Sequence, residues 1–410
     1  MEKELWKGNE AIAEAAIRAG CDCFFGYPIT PQSEVPEYMS AHLPKAGGVF
    51  LQSESEVAAI NMVYGAAGAG MRAMTSSSSP GISLKQEGIT YIAGAELPCV
   101  IVNCMRGGPG LGTIQPGQGD YYQATRGGGN GDYRNIVLCP STIQEGVDLM
   151  YEAFDIAERY RCIVEIMTES GLGQMMEPCE YPEFRELGKC SWGLDGTYKV
   201  RRGDFLGRDL VKESDVYMEK LRAMRENEQR WQELYTEDAE YVFVAIGLPG
   251  RAAEGIVREL REKGEKVGLI RTISVWPYPD KSFAELAAKN PGVKGFITVE
   301  TNGEGQMVDD VALCAKKHGM GSVPVYALAY VCDIPKDDAI KADYARIFKS
   351  EIITDLIKVL GCGVEVQNKH VKDVAAFDLN NLRWNKVVIC TDGDVDGFQI
   401  RTLILTMLYR

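Results

Sequence analysis

Short apolar runs alternate with segments of helical periodicity along most of this chain. GNEAIAEAAIRAG places alanine and isoleucine at helical spacing and ends at Gly20, a residue type that favours the position after a helix. CDCFFGYP then predicts a strand that ends in a turn, and SEVAAINMVYGAAGAG predicts a second helix. Alternation of this kind is typical of a parallel sheet with helices on its faces.

Two further segments repeat this plan. RAMTSSSSPGISL predicts a strand that runs into a loop of serine, glycine and proline, and LPCVIVNCMRGGPGLG predicts a strand followed by a glycine-rich loop. In an open α/β sheet, ligands bind where the carboxyl ends of such strands meet. We therefore expect the loops after these three strands to meet at one crevice.

The pattern changes near residue 180. Residues 181–237 are polar, highly charged and end in a helical pattern, so they are predicted to be a connector with a solvated face. A second α/β unit follows over residues 238–335, beginning with the strand YVFVAIG. These boundaries leave 1–180 as the first unit and 341–410 as a separate tail.

Composition and charge narrow the classes of function. Hydrophobic residues make up 45% of the 410 positions, which allows a sizeable core. A net charge of −14 argues against broad attachment to DNA or anionic lipid, because both attractions need a basic face. With no apolar run of bilayer length and no secretory signal pattern at the start, we expect a cytoplasmic protein without a membrane partner.

Cysteine and histidine usage limits the metal chemistry. The twelve cysteines form no CxxC run of the kind that holds an iron–sulfur cluster, so they are predicted to be reduced and mostly buried thiols. The three histidines, at positions 42, 318 and 370, give poor support to a histidine-rich metal site or a Ser-His-Asp triad.

Two residues at the predicted strand ends are candidates for chemistry. In GYPITP, Pro28 and Pro31 restrict the backbone around Thr30, so its hydroxyl is held in a stiff loop; taken alone, this is simply a rigid turn. Arg106 lies between a buried-looking strand and GGPGLG, where a bidentate donor suits a carboxylate or phosphate; a surface arginine is the alternative.

Glu56 opens the helix of small residues. Either Ser53 or Ser55 can cap this helix, and either Glu54 or Glu56 can complement its dipole. Only one of the two acids is needed to complement the dipole, so the other is available for a different role. A carboxylate at the start of a buried helix can hold the nitrogen of a heterocyclic cofactor.

Several long segments carry a family resemblance: GYPITPQSEV, QSESEVAAINMVYGAAGAG, SPGISLKQEGITYIAGAELPCVIVNCMRGGPGLG, GGGNGDYRNIVL, RTISVWPYP and VETNGEGQMVDDV. Through them, residues 1–331 closely resemble the α subunit of thiamine-diphosphate-dependent 2-oxoacid:ferredoxin oxidoreductases, especially the branched-chain (3-methyl-2-oxobutanoate) type. The resemblance implies a pyrimidine-binding domain, a parallel sheet with helices on both faces, over 1–180. It implies a transketolase-C-like α/β domain over 238–335.

The resemblance also implies roles for individual residues. Glu56 would bind the aminopyrimidine N1′ of thiamine diphosphate, Arg106 the carboxylate of the 2-oxoacid, and Thr30 the substrate near its reacting carbon. Ser79 and Gly81 would belong to the cofactor-binding loop. The cofactor would be shared with a β subunit that supplies most contacts to the diphosphate and to Mg²⁺.

The implied reaction is the oxidative decarboxylation of a 2-oxoacid to acyl-CoA and CO₂, with electrons passed to ferredoxin. The expected partners are the β, γ and ferredoxin-like subunits of the same enzyme, coenzyme A and ferredoxin, with iron–sulfur clusters only on the partner subunits. The chain alone should be inactive. Arg106 would read a carboxylate common to all 2-oxoacids, so 2-oxoglutarate or pyruvate would need only modest changes in the pocket.

Four positions depart from the family pattern. Ser79 stands where SSGPG usually has its glycine, Gly117 and Gly119 stand where other small residues are common, and Asn130 replaces a histidine in GGGHG. If Ser79 had to adopt a positive φ, the substitution would strain a cofactor loop.

The tail resembles a different family. NLRWNKVVICTDGDVDGFQIRTLILTMLYR is similar to part of the TOPRIM region of the GyrB-type chain of DNA gyrase and of other type IIA topoisomerases, and it would present Asp392, Asp394 and Asp396 to a Mg²⁺ ion. The upstream acidic motif, the ATPase domain and the tyrosine-bearing domain are missing, so the acids are expected to bind metal weakly and DNA is not an expected partner. The competing interpretations are a Mg²⁺-dependent topoisomerase-related fragment and a catalytically silent fusion.

Overall fold

A seven-stranded sheet forms the frame of the first part of the chain. The computed structural model describes residues 3–186, 190, 192–193 and 210–329. Neighbouring strands of the sheet are parallel, apart from the antiparallel pair at one edge. Across the sheet the strands are β12 (Ser274–Trp276), β6 (Ile136–Leu138), β7 (Ile163–Glu169), β5 (Cys99–Met105), β4 (Ala73–Ser77), β2 (Cys23–Gly26) and β3 (Val49–Gln52).

Helices cover both faces of this sheet because its central strands are apolar on both sides. In β5, Val100 and Val102 join one core cluster, whereas Cys99 and Ile101 join another, as the two-residue period of a strand requires. The first cluster includes side chains from α1 (Gly8–Arg18), α2 (Glu34–His42) and α6 (Ile143–Tyr160). The second includes side chains from α3 (Glu56–Gly68) and α4 (Ser79–Gly94).

A second sheet of five strands follows. Its order is β14 (Val325–Ala329), β13 (Gly295–Glu300), β10 (Tyr241–Ala245), β11 (Val267–Thr272) and β9 (Trp231–Leu234), and β9 is the antiparallel edge strand. Four helices belong to this part of the chain: α8 (Leu210–Asn227), α9 (Gly247–Glu262), α10 (Asp280–Lys289) and α11 (Val308–Lys317). The α/β fold with parallel sheets is therefore as predicted.

Smaller elements complete the described ranges. Strands β1 (Glu4–Lys7) and β8 (Met176–Cys179) form an antiparallel pair. A 3-10 turn, Leu43–Ala46, follows α2, and the short helices are α5 (Tyr121–Arg126) and α7 (Ser170–Gln174). None of the helices in the described ranges combines the length and apolar character that crossing a bilayer requires.

The two sheets are joined by more than a connector. Strand β12 comes from the second part of the sequence but pairs with β6 of the first sheet. Beside this junction, the buried Arg271 guanidinium donates to both carboxylate oxygens of Glu145, at 2.9 and 2.8 Å. Strand β9, which lies inside the predicted connector, is an edge of the second sheet.

One predicted loop is wrong. SPGISL was expected to be a loop after β4, but α4 begins at Ser79, and only Ser78 separates the strand from the helix. The physical reason is Pro80: in the first turn of a helix, proline has a suitable φ and its missing N–H costs nothing. The serine and proline residues that suggested a loop therefore form the first turn of a helix.

The cysteines in the described ranges are free thiols, as expected. Cys190 is partly exposed and the rest are buried; these are Cys21, Cys23, Cys99, Cys104, Cys139, Cys162, Cys179 and Cys314. Burial raises the pKa of the Cys23 thiol to about 12, with Asp22 acting in the same direction. Such a thiol stays protonated and inert at neutral pH.

Candidate functional site

The loop after β2 holds Thr30 close to Arg106. The Pro31 carbonyl accepts hydrogen bonds from Asn9 Nδ2 at 2.8 Å and from Gln174 Nε2 at 3.1 Å, which anchors the exposed Thr30 to buried structure. Arg106 follows β5 directly, and its Nη1 donates to the Thr30 carbonyl oxygen at 2.8 Å. The loops after β2 and β5 are thus in contact, as the sequence predicted.

Arg106 is fixed at a second point. Its Nη2 donates to the Leu111 carbonyl oxygen at 2.8 Å, and the whole residue is only 6% exposed. Two carbonyl contacts on separate nitrogens determine the plane of the guanidinium. A guanidinium that is held in one orientation at the carboxyl ends of the strands is suited to bidentate binding of a carboxylate.

Ser79 connects α4 to the same arginine. Its Oγ accepts a hydrogen bond from the Arg106 N–H at 3.0 Å and lies 3.2 Å from the Arg106 carbonyl, to which it can donate. The non-glycine residues with positive φ in the described ranges are Glu96, Arg161 and Tyr235. Ser79 therefore carries none of the strain considered from the sequence.

Glu56 is the first residue of α3 and is only 6% exposed. The two capping alternatives are resolved, since the Ser55 Oγ accepts from the Ala58 N–H at 3.2 Å while Ser53 donates to the Gly26 carbonyl at 3.1 Å. Glu54 is exposed. Glu56 is therefore the acid that faces the interior.

Gly81 lets α4 approach Glu56. A Cβ at this position would lie 2.8 Å from the Glu56 Oε1 and 2.1 Å from the Ser77 Oγ. Only glycine leaves room for both groups. Because Gly81 is two residues after Ser79, the start of α4 touches both the glutamate and the arginine loop.

Several buried polar atoms near this point have no hydrogen-bond partner among the described residues. They include the hydroxyls of Ser77 and Ser78, at the end of β4, and the Nζ of Lys85 on α4. Unsatisfied buried polar groups are costly and rare in folded proteins. A cluster of them beside a buried carboxylate is what a site for a polar heterocyclic ligand requires.

A network of buried acids lies behind Arg106, and sequence reasoning missed it. Asn103 Nδ2 donates to Asp120 Oδ2 at 3.1 Å and to Glu165 Oε1 at 3.3 Å. Burial raises the pKa of Glu165 to about 7 and also raises the pKa of Asp120, against hydrogen bonds from Ser79 and Asn103 and the charge of Arg106. The sequence did carry a signal for two of these residues: Asn103 is the one polar residue in the apolar segment VIVNCM, and Glu165 is the one polar residue in IVEIM.

The remaining departures and predictions are placed as follows. A Cβ at Gly117 would lie 3.0 Å from the Gly107 Cα, so the loop needs a very small residue there. Gly119 has open space around it, and Asn130 is exposed.

The predicted metal-binding residues Asp392, Asp394 and Asp396 lie outside the described residues. Within the described ranges, no group of three His, Cys, Asp or Glu side chains is arranged to hold a metal ion.

Family models match the chain in three parts. Residues 14–237 match the model "Pyruvate flavodoxin/ferredoxin oxidoreductase, thiamine diP-bdg", and residues 239–332 match "Pyruvate:ferredoxin oxidoreductase core domain II". Residues 330–410 match the Toprim domain.

Curated relatives match over most of their length. The ketoisovalerate oxidoreductase subunit VorB of Methanothermobacter thermautotrophicus is 48% identical over 322 residues, which are 77% of this chain and 90% of the relative. The 2-oxoglutarate synthase subunit KorA of Methanocaldococcus jannaschii is 38% identical over 355 residues, covering 77% of this chain and 93% of the relative.

A solved structure shows the same fold. It is the 2-oxoglutarate:ferredoxin oxidoreductase from Magnetococcus marinus with 2-oxoglutarate, coenzyme A and succinyl-CoA bound. The TM-score is 0.71 at 22% sequence identity, and the match covers 84% of this chain and 65% of that chain. The described folds therefore follow the architecture of that enzyme.

Proposed function

The chain belongs to the thiamine-diphosphate-binding family of pyruvate flavodoxin/ferredoxin oxidoreductases, and we propose that it is the α subunit of a branched-chain 2-oxoacid:ferredoxin oxidoreductase. In the proposed reaction, the thiol of coenzyme A replaces the carboxylate of the 2-oxoacid, which leaves as CO₂. The two electrons released pass to ferredoxin. The identity of 48% to a ketoisovalerate enzyme supports the branched-chain substrate over 2-oxoglutarate or pyruvate.

The observation that carries the proposal is the buried Glu56 facing Gly81, with the Ser77 hydroxyl close to the same glycine. The hydroxyls of Ser77 and of the next residue, Ser78, have no hydrogen-bond partner among the described residues. These residues fit an aminopyrimidine, because the Glu56 carboxylate can accept a hydrogen bond from a protonated N1′ and the hydroxyls can satisfy other polar edges of the ring. Thiamine diphosphate, when bound, supplies the carbon nucleophile that this decarboxylation needs. Glu56 would hold and share the proton at N1′.

Arg106 and Thr30 would position the substrate. The Arg106 guanidinium, fixed by the carbonyls of Thr30 and Leu111, would bind the carboxylate that all 2-oxoacids share. Thr30 would present its hydroxyl from the anchored loop toward the keto group. Ser79 would hold the backbone of Arg106, and Gly81 would keep space for the cofactor.

The proposed assembly contains further subunits. A β subunit would supply most contacts to the diphosphate and to Mg²⁺, and γ and ferredoxin-like subunits would carry the iron–sulfur clusters that lead to ferredoxin. We place the oxidoreductase part in residues 1–331 and expect no activity from the chain alone. Asp392, Asp394 and Asp396 of the Toprim match would bind Mg²⁺ weakly and take no part in this reaction.

The test is coenzyme-A-dependent reduction of viologen with 3-methyl-2-oxobutanoate by the chain co-expressed with its partner subunits. Glu56→Gln should reduce kcat at least a hundredfold, because the amide cannot take up the proton at N1′. Glu54→Gln is the matched control, since Glu54 is exposed two residues earlier, and it should keep full activity. A chain ending at Val331 should also stay active.

Full activity of Glu56→Gln would contradict the assignment of the cofactor site. Equal kcat/KM for 2-oxoglutarate and 3-methyl-2-oxobutanoate would contradict the branched-chain preference. Activity that is lost in the chain ending at Val331 but present in the full chain would contradict the placement of the function in residues 1–331.

A further inference from the structure

A lysine lies on the face of α4 that packs against α3. Gly81, Lys85 and Gly88 follow one another at helical spacing and therefore share one side of the helix. A Cβ at Gly81 would lie 2.8 Å from Glu56 Oε1, and a Cβ at Gly88 would lie 2.5 Å from Ile60 Cγ2. Lys85 is between these two contacts, so its side chain enters the seam between the helices.

The side chain of Lys85 is completely buried. Helical side chains lean toward the N-terminus of their helix, which for Lys85 is the direction of Gly81 and Glu56. Its Nζ has no hydrogen-bond partner among the described residues. A methionine would fill a similar space in an apolar seam without this cost, so what the lysine adds is its charge.

Glu56 offsets part of the effect of burial on the charge of Lys85. Burial lowers the pKa of Lys85 to about 8, and the negative charge of Glu56 acts in the opposite direction. At pH 7 the group is therefore mainly an ammonium. In the described part of the chain, Glu56 on α3 is the charged group that acts on it.

We propose that Lys85 is a positioning residue for Glu56: its ammonium attracts the buried carboxylate and holds it at the start of α4, where it can share a proton with the ring nitrogen of the cofactor. Opposite charges attract strongly where burial excludes water, so an ammonium in this seam restricts where the carboxylate can lie. This inference rests on the proposed function in one respect, the assignment of Glu56 to the aminopyrimidine. The coupling between Lys85 and Glu56 does not depend on that assignment.

The coupling is tested by NMR titration of the full-length chain labelled with [ε-¹³C]lysine. The Lys85 signal is identified by its loss in Lys85→Met and should titrate near pH 8. In Glu56→Gln its midpoint should fall by about one pH unit, because the stabilising negative charge is removed. Lys263→Met, at the exposed residue that follows α9, should remove a different signal and leave the Lys85 midpoint unchanged.

The consequence for the cofactor is tested in the assembled complex with thiamine diphosphate and Mg²⁺. The dissociation constant of thiamine diphosphate, followed by the near-ultraviolet circular dichroism of the bound cofactor, should be about fivefold higher in Lys85→Met than in wild type. Lys85→Arg keeps the charge and should restore most of the difference. A thermal melt of each variant checks that it is folded.

The outcomes separate this inference from the proposed function. A Lys85 midpoint that is the same in wild type and Glu56→Gln, or equal thiamine diphosphate affinities for wild type and Lys85→Met, would overturn the role of Lys85. Unchanged cofactor binding and activity in Glu56→Gln would instead overturn the proposed function, and the lysine titration would still report the coupling.

Discussion

At the scale of single residues, the candidate site depends on hydrogen bonds between different loops and helices. Thr30 is exposed, but the next residue is anchored by Asn9 and Gln174. Arg106 is oriented by the carbonyls of Thr30 and Leu111. Sequence reasoning placed these two residues at one crevice because each follows a strand of a parallel sheet. It did not find the hydrogen bond between Asn103 and Asp120, because the partner of a polar residue in an apolar strand depends on tertiary packing.

Ser79 provides a prediction at this scale. Ser79→Ala removes the hydroxyl that accepts from the Arg106 N–H, and leaving that buried donor unsatisfied costs about 1–3 kcal/mol. The Arg106 loop should loosen, so the KM for the 2-oxoacid in the assembled enzyme should rise several-fold with a smaller change in kcat. Ser40→Ala, whose hydroxyl bonds only to an exposed helix carbonyl at 2.7 Å, is the control. An unchanged KM would show that Ser79 does not position the arginine.

At the scale of elements, the strands predicted in CDCFFGYP, RAMTSSSS, LPCVIVNCM and YVFVAIG are present, because their apolar character is strong. The prediction failed at SPGISL, where residue types that favour turns also favour the first turn of a helix. SVWP lies in the predicted second α/β unit by sequence, and its strand β12 pairs in the first sheet. Periodicity identifies a strand, but the partner of a strand is decided by packing far away in the sequence.

The close contact between α3 and α4 gives a prediction at this scale. Gly81→Ala would bring a methyl group within 2.8 Å of Glu56 Oε1 and 2.1 Å of Ser77 Oγ, so the glutamate must move. Overpacking of this kind costs about 1–3 kcal/mol in stability, and the affinity of the complex for thiamine diphosphate should fall at least tenfold. Isothermal titration calorimetry of the assembled complex measures this affinity.

A second glycine serves as the comparison for Gly81. A Cβ at Gly65, within α3, meets no atom within 4 Å in the described part of the chain. Gly65→Ala should therefore stabilise the helix by about 0.5–1 kcal/mol and leave cofactor affinity unchanged. Equal cofactor affinities for the Gly81→Ala and Gly65→Ala enzymes would contradict the close approach of α4 to Glu56.

At the scale of the whole described unit, the two sheets are held together by buried polar contacts as well as by β12. Gln118 exchanges two hydrogen bonds with Thr301, at 2.8 and 3.1 Å, and the Gln118 side chain also donates to the buried Glu169 at 2.8 Å. Burial raises the pKa of Glu169 to about 7. These contacts lie on the chain segment that continues from Arg106, so the second sheet supports the loop that would bind substrate.

The ion pair between Arg271 and Glu145 gives the prediction at this scale. Arg271→Ala leaves the partly buried Glu145 without its bidentate partner, and losing hydrogen bonds to a charged group typically costs about 1.5–3 kcal/mol. Urea denaturation of the full-length chain should show this loss in the free energy of unfolding. Lys263→Ala, which breaks the exposed pair with Glu259, should cause no measurable change. A loss for Arg271→Ala no greater than that of the control would show that the pair does not hold the two parts together.

The pairing of β12 with β6 also bears on synthesis of the protein. A nascent chain that has emerged only as far as β9 already contains six of the seven strands of the first sheet, but β6 is left with one unpaired edge. That edge stays open while about forty more residues are translated, and unpaired edges are where chains join one another wrongly. The first sheet is therefore completed only after β9, β10 and β11 of the second part have been made, and a chain cut between the two parts would expose a strand to aggregation.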